Sequence, residues 1–141
     1  MTKVRFFQGK CGECRTEFGL PSLGDFTYGS VIFSGNKGTV FGHLHLINSS
    51  IVGEIREILQ SLKKEQLYER SLQNLLVKVA DPIDGQRLQT KQTCPSCGSL
   101  NLSLDEARML EDKEIPLITF HRFLSQDEAA RINEIAMAVL P

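Results

Sequence analysis

The segment Thr93-Cys94-Pro95-Ser96-Cys97-Gly98-Ser99 places two cysteines two residues apart in a sequence suited to a tight turn. This spacing lets one turn aim both sulfurs at a single metal ion, while backbone N–H groups hydrogen-bond the thiolates. Two thiolates leave a tetrahedral ion two ligands short. The segment therefore predicts a second pair of ligands elsewhere in the chain.

The remaining two cysteines of the chain have the same spacing, in Cys11-Gly12-Glu13-Cys14. The two pairs are separated by 79 residues, whereas the pairs of short four-cysteine motifs lie roughly 15–20 residues apart. We predict that one zinc ion is held by Cys11, Cys14, Cys94 and Cys97. A closed set of four thiolates leaves no position for water, so the ion is expected to be structural. The alternatives are iron in place of zinc, a redox-active pair, or one pair that is a buried remnant.

The two cysteine pairs resemble the knuckles of the zinc-ribbon family, which are often written C-P-x-C-G. Cys94-Pro95-Ser96-Cys97-Gly98 matches that form fully. The first pair matches only the cysteine spacing, with Gly12 in place of the proline and Arg15 in place of the final glycine. The resemblance covers roughly 35 residues at two separate places. It implies a ribbon fold element and a metal, and no particular activity.

The pattern of elements predicts an α+β fold in which a zinc ribbon joins distant segments. The ribbon is expected to comprise residues 1–17 and 86–104. Residues 18–85 form an insertion with a β-hairpin and two helices, and residues 105–141 add a C-terminal strand and helix packed on the core.

Individual elements follow from composition and periodicity. Residues 3–8 are a predicted strand, and β-branched and aromatic residues at 26–33 and 39–47 predict a hairpin closed by "SGNKG". Ser49 and Ser50 offer caps to a first helix, and a second helix must end near Asp81 because of Pro82. We further predict a turn at 81–86 and a strand at 87–93, with a return strand at 100–104.

The C-terminal third is acidic, and charge and residue spacing predict its elements. The stretch at 104–114, "LDEARMLEDKE", predicts a short helix, and 117–124, "LITFHRFL", predicts a strand. Ser125 and Glu128 have the spacing of a capping box that opens a last helix. That helix is expected to place its core residues at Ile132, Ile135 and Val139.

Charge is unevenly distributed although the net charge is only −1. The two ribbon segments together carry +4, and residues 105–141 carry −4. Four thiolates around zinc would reduce the net charge of the ribbon to about +2. That is far below the positive charge expected of a dedicated nucleic-acid-binding protein. The basic side chains near Phe6 and Phe7 leave nucleic-acid binding as an alternative. The acidic run at 105–114 is either a solvated face or a docking patch for a basic partner.

Two other groups of residues are of types that could perform chemistry. Strand alternation puts His43 and His45 on one face, where two imidazoles could bind a metal or act in acid–base catalysis. We favour a half-exposed sheet face for them and keep an enzyme as an alternative. Asp81 and Asp84 are a paired-carboxylate candidate, but aspartate is also typical of turns, which is the interpretation we favour.

The chain has none of the sequence patterns of a nucleophile elbow, a phosphate loop or a dinucleotide fold. We therefore predict a non-enzymatic zinc-binding protein, an adaptor, inhibitor or immunity-type protein that binds another protein. The sequence has no secretory signal and no apolar run of the ~20 residues that span a membrane, so a cytoplasmic location is expected.

Overall fold

The computed structural model of the protein describes residues 2–22 and 29–139, apart from the side chain of Glu69. The described strands are β1 (Thr2–Cys11), β2 (Glu17–Ser22), β3 (Ser30–Gly35), β4 (Phe41–His45), β5 (Leu88–Gln89) and β6 (Leu102–Ile115). The described helices are α1 (Ser50–Ser61), α2 (Leu67–Val79), α3 (His121–Leu124) and α4 (Glu128–Ala138). The mixture of helices with two small antiparallel sheets confirms the α+β fold.

The first sheet has the strand order β2-β1-β6 and positions both cysteine pairs. The predicted strand at 3–8 is confirmed and extends to Cys11. Strand β6 starts just after the second cysteine pair and pairs antiparallel with β1, from Cys11 opposite Leu102 to Thr2 opposite Ile115. This ladder returns the chain to its first residues and brings the two cysteine pairs together.

The second sheet has the order β4-β3-β5 and contains the predicted hairpin. Strands β3 and β4 pair antiparallel as expected, and residues 26–28 of the predicted first strand lie outside the described residues. The strand predicted at 87–93 is reduced to Leu88–Gln89. In the hairpin turn, Gly38 has φ +75° and its absent Cβ would lie 2.5 Å from the carbonyl oxygen of Thr93. The turn therefore packs closely on the second cysteine segment.

Helices α1 and α2 lie where the sequence predicts them. The apolar residues of α1 recur at helical spacing and are buried, while its N-cap Ser49 makes no side-chain capping bond. Helix α2 ends at Val79, ahead of Asp81 and Pro82. Proline disfavours helical backbone in the residue before it, which explains this end point.

Two apolar clusters, counted over residues 2–22 and 29–139, stabilise the protein. The larger one joins α1, α2, α3 and α4 to the inner face of the hairpin and to residues 118–120. The smaller one joins β1 and the end of β6 to the outer face of the hairpin, and its buried members are Val4, Phe6, Phe41 and Ile115. The hairpin is therefore buried on both faces and connects the cysteine-bearing sheet to the helices.

Two assignments in the C-terminal third are wrong. Residues 104–114 are not a helix but belong to the 14-residue strand β6. The side chains of β6 are exposed almost throughout, so the strand shows no alternation of apolar and polar residues, and only backbone pairing with β1 reveals it. Residues 117–124 are not a strand, because Leu117 makes a single bridge to His43 and residues 121–124 form α3.

The predicted capping box of α4 is also wrong. The helix begins at Glu128, and its N-cap is Asp127, whose carboxylate accepts a 2.8 Å hydrogen bond from the Ala130 N–H. Ser125 instead ends α3, and its hydroxyl donates to the carbonyl of Arg122. Both side chains hydrogen-bond to nearby backbone groups, but of the two it is Asp127 that accepts an N–H group at the start of the last helix.

Replacing Asp127 by alanine is expected to lower the free energy of unfolding by about 1 kcal/mol, the usual cost of losing a side-chain cap. Ser125→Ala removes a hydroxyl of similar exposure without uncapping α4, so it is expected to cost less. Urea unfolding of the two variants measures the difference. Equal losses in both variants would show that the cap at Asp127 contributes nothing specific.

Candidate metal centre

The four cysteine sulfurs converge on one point. All four Sγ atoms lie within 4.8 Å of one another. The Sγ atoms of Cys11 and Cys97 are 3.6 Å apart, and those of Cys14 and Cys94 are 3.5 Å apart. A regular tetrahedron with Zn–S bonds of about 2.3 Å has sulfurs about 3.8 Å apart. A disulfide needs about 2.05 Å, so the thiols are unpaired and their geometry fits a shared metal ion.

The two cysteine turns repeat one backbone geometry. The residue after each pair has a left-handed conformation, with φ 64° at Arg15 and 77° at Gly98. The N–H of Arg15 donates to the carbonyl of Cys11 at 3.0 Å, and that of Gly98 to the carbonyl of Cys94 at 2.9 Å. The sequence difference between the pairs therefore does not change the turn, and both turns direct two sulfurs inward.

Backbone amides inside each turn point at the first sulfur. The N–H groups of Glu13 and Cys14 lie 3.4 and 3.5 Å from the Sγ of Cys11, and that of Ser96 lies 3.4 Å from the Sγ of Cys94. Such N–H donors stabilise a thiolate, which is the form that binds metals. The turns are thus built to hold ionised sulfur.

Without a bound cation, the pKa values of neighbouring thiols are shifted in opposite directions. The Thr16 hydroxyl and backbone lower the pKa of Cys14 to about 6. The Ser99 backbone acts to lower the pKa of Cys97, but Cys11, burial and the other two thiols outweigh it and raise that pKa to about 12. A divalent ion at the centre would lower the pKa of all four thiols, because it favours the ionised form of each.

The repeated turn makes a matched pair of variants available. Gly98→Ala is expected to lower the free energy of unfolding by about 1–2 kcal/mol, the cost of left-handed backbone for a residue with a Cβ. The added methyl group meets no atom within 4 Å, so no clash contributes. Arg15→Gly relieves the same cost but adds flexibility to the unfolded chain, so a net gain of about 0.5 kcal/mol is expected.

Chemical denaturation at constant metal content tests these two variants together. The account requires effects of opposite sign at the two equivalent positions. Effects of the same sign would mean that the two turns are not energetically equivalent.

His43 and His45 do not form the half-exposed face that we expected. His43 is only 1% exposed, whereas His45 is exposed and its Nδ1 lies 2.9 Å from the Ser30 hydroxyl. The two rings are perpendicular with centroids 4.4 Å apart. The outer face of the hairpin is covered by the first sheet at His43, which strand alternation alone does not reveal.

Asp81 and Asp84 have separate structural settings. The Asp81 carboxylate accepts hydrogen bonds from the Thr119 hydroxyl and from the N–H groups of His121 and Arg122, and so holds the start of α3. Burial raises its pKa, but these hydrogen bonds outweigh burial and hold the pKa below its usual value. Asp84 has φ 49° in the turn closed by Ile83 and Gln86, as predicted for this segment.

The two phenylalanines near the basic segments differ in exposure. Phe6 is 4% exposed, packs edge-on against Phe41 and lies beneath the Lys113 ammonium. Phe7 is half-buried beside Met109 on β6. Lys10 and Arg15 are exposed, and Phe7 is the less buried of the two phenylalanines.

Sequence analysis missed the position of the acidic run, which forms the outer strand of the first sheet. Strand β6 is paired on one side only, with β1, among the described residues. Its exposed apolar residues include Leu104, Met109 and Leu110, and its charged residues sum to −3. A length of fourteen residues without proline or glycine was the one sequence signal compatible with a long strand.

Comparison with protein-family models, with curated proteins and with solved structures found no match to this chain. Among the residues that the structure describes, no helix combines the length and apolar character needed to cross a membrane.

Proposed function

We propose that this chain is a zinc-binding protein in which Cys11, Cys14, Cys94 and Cys97 hold one structural Zn²⁺ in a ribbon-like site. The main supporting observation is that all four sulfurs lie within 4.8 Å of one another, and the chain has no other cysteine. Four thiolates complete the coordination shell, so the ion stabilises the fold and performs no chemistry. Thiols persist in a reducing compartment, which supports a cytoplasmic location.

Cobalt substitution tests the ligand set directly. Refolding the protein with Co²⁺ is expected to give the strong visible and thiolate-to-cobalt absorption bands of a tetrahedral four-thiolate site. Cys14→Ser should weaken the charge-transfer band, because one sulfur donor is lost, while Ser96→Ala in the neighbouring turn should leave the spectrum unchanged. A spectrum typical of octahedral cobalt in the wild-type protein would refute the four-thiolate site.

The role of the folded protein, in this proposal, is to bind another protein through β6, as an adaptor, inhibitor or immunity-type protein does. Long exposed edge strands present unpaired backbone groups, and soluble proteins usually shorten, cover or interrupt them. Strand β6 is fourteen residues long and is exposed from Ser103 to Glu114. Its register with β1 is irregular near Phe7, and irregularities of this kind turn part of an edge away from a further strand. The exposed apolar residues Met109 and Leu110 lie in that irregular stretch, and Leu104 lies just before it, which supports a contact surface.

Charge identifies the kind of partner that this surface suits. Asp105, Arg108, Glu111 and Lys113 form weak ion pairs with neighbours on the strand. Glu106 and Glu114 make no ion pair among the described residues, so the strand presents unneutralised negative charge. An extended, basic segment with apolar side chains would complement this edge by adding a strand to it.

Affinity capture with matched variants tests the partner surface. Proteins that co-purify with the wild-type chain should be lost with the double variant Met109→Arg and Leu110→Arg, which places positive charge against a basic partner. Met137→Arg is the control, because Met137 is 63% exposed on α4, away from the edge strand. Retention by the double variant, or equal loss with the control, would exclude β6 as the binding surface.

A further inference from the structure

His43 is the most unusual polar residue of the described chain. Its side chain is buried at 1% exposure, and its Nε2 has no hydrogen-bond partner among the residues that the structure describes. Its Nδ1 lies 3.2 Å from the hydroxyl oxygen of Thr2. A buried polar atom without a partner costs roughly 1–3 kcal/mol, so its position calls for a physical role.

The residue lies where the first sheet meets the hairpin. The His43 N–H donates to the carbonyl of Pro116 at 3.0 Å, and the His43 carbonyl accepts from the Ile118 N–H at 2.9 Å. Thr2, which contacts the ring, pairs with Ile115 at the end of the β1–β6 ladder. We call this contact between Thr2, His43 and residues 116–118 the seam. Both strands of the ladder are therefore attached, at this one end, to His43.

The surroundings of the ring are apolar on the hairpin side. Ile32 on β3 is its cross-strand neighbour, and Phe41 on β4 shares its face by alternation. Strand β3, with the sequence SVIFSG, carries no titratable side chain. This strand therefore offers no negatively charged side chain that would stabilise a protonated His43.

The charged groups on the packed elements are few. On β4, the ring of His45 stands perpendicular to His43, with centroids 4.4 Å apart. On the first sheet, Lys113 pairs opposite Val4 and lies over the Phe6 ring, while Lys3 and Glu114 alternate to the other face. No carboxylate in the described part of the chain hydrogen-bonds the His43 ring. A positive charge on His43 would thus face a second imidazole, while Lys113 is paired with the Glu111 carboxylate at 3.4 Å.

We propose that His43 is an acid-sensitive latch: its protonation loosens the seam and separates the cysteine-bearing sheet from the hairpin. The neutral ring fits the apolar contact, and the imidazolium would be buried without an acceptor. Once the seam opens, water would accept a hydrogen bond from the Nε2–H of the imidazolium. Acidification would then expose the outer face of the hairpin while the larger core around α1 and α2 stays intact.

The electrostatics give the direction of the effect. Burial first, and then the neighbouring His45, lower the pKa of His43 below its ordinary value. A histidine whose pKa is lowered by folding adds full stability above its unfolded pKa of about 6.5. That contribution begins to fall as the pH drops below 6.5 and is lost as the pH passes through the lower folded value. The seam is therefore expected to be closed at neutral pH and to weaken in mild acid.

Nuclear magnetic resonance of the zinc-loaded protein between pH 7.5 and about 5 tests the latch. The His43 ring should titrate below the ordinary range of about 6.5. Over the same interval, protection factors of the amides of His43 and Ile118 should fall severalfold, while those in the middle of α1 should not. Zinc content is followed in parallel, because acid also protonates thiolates.

His43→Gln provides the comparison, because glutamine cannot titrate and keeps one amide in place of the ring, and His45→Gln is the matched control. Seam protection should become independent of pH in the first variant and remain dependent in the second. The latch is refuted if His43→Gln loses protection as the wild type does. If that variant does not fold, a wild-type ring that titrates normally, or a seam that opens without the ring titrating, refutes it equally.

Discussion

Removing the metal with a chelator is expected to lower the free energy of unfolding of the wild-type protein by about 4 kcal/mol. The proposed ion connects Cys11 and Cys14 to Cys94 and Cys97, so it closes a loop of about eighty residues. By analogy with a disulfide, closing a loop of this length removes unfolded-chain entropy corresponding to about 4 kcal/mol. Urea unfolding with and without chelator measures the loss.

The loss should be distributed unequally over the structure. The first sheet depends on the cysteine turns, because β6 begins directly after the second of them. Helices α1 and α2 keep buried faces of their own, including Ile55, Leu59 and Leu76, so helical circular dichroism should partly persist. Cys94→Ser should reproduce the effect of the chelator and become insensitive to it. An unchanged midpoint after complete metal removal would contradict the structural role of the ion.

Ile135→Ala is expected to lower the free energy of unfolding by roughly 2–5 kcal/mol, the range for truncating a buried aliphatic side chain. Ile135 is 0% exposed on α4 and belongs to the larger core. Its neighbours on the helix, Ile132 and Val139, are only half-buried, so Ile135 carries the main contact of α4 with that core.

Met137→Ala provides the control for this prediction, since Met137 lies on the same helix at 63% exposure and should change stability by about 0.5 kcal/mol or less. Thermal and urea unfolding of both variants give the comparison. A chain ending at residue 124 that unfolds cooperatively at wild-type stability would show that α4 does not belong to the core.

The cysteine cluster and the inserted elements could be predicted because their signals are local. Two C-x-x-C pairs with no cysteine left over determine which thiols can share an ion. Helices α1 and α2 have apolar residues at helical spacing and a proline after the second of them, and the hairpin strands are rich in β-branched and aromatic residues. Each of these patterns follows from burial of one face or from backbone sterics within a few residues.

The C-terminal third could not be predicted because its structure depends on distant partners. Strand β6 is a strand because β1, about one hundred residues earlier, pairs with it, although its own side chains are mostly solvated. Helix α3 begins where the Asp81 carboxylate accepts the amides of His121 and Arg122. The burial of His43 likewise follows from the contact of the first sheet with the hairpin. The pattern of residues within β4 does not predict that contact.

Elemental analysis of the purified protein tests whether the four cysteines hold one zinc ion. The protein is prepared without a metal-affinity step and dialysed against metal-free buffer, and the metal content is measured per chain. The account predicts one zinc per wild-type chain and none in Cys11→Ser or in Cys94→Ser, while His43→Gln keeps the full amount. A wild-type protein that is fully folded without metal, or a Cys11→Ser variant that retains zinc at full affinity, would contradict the claim that the four cysteines share one ion.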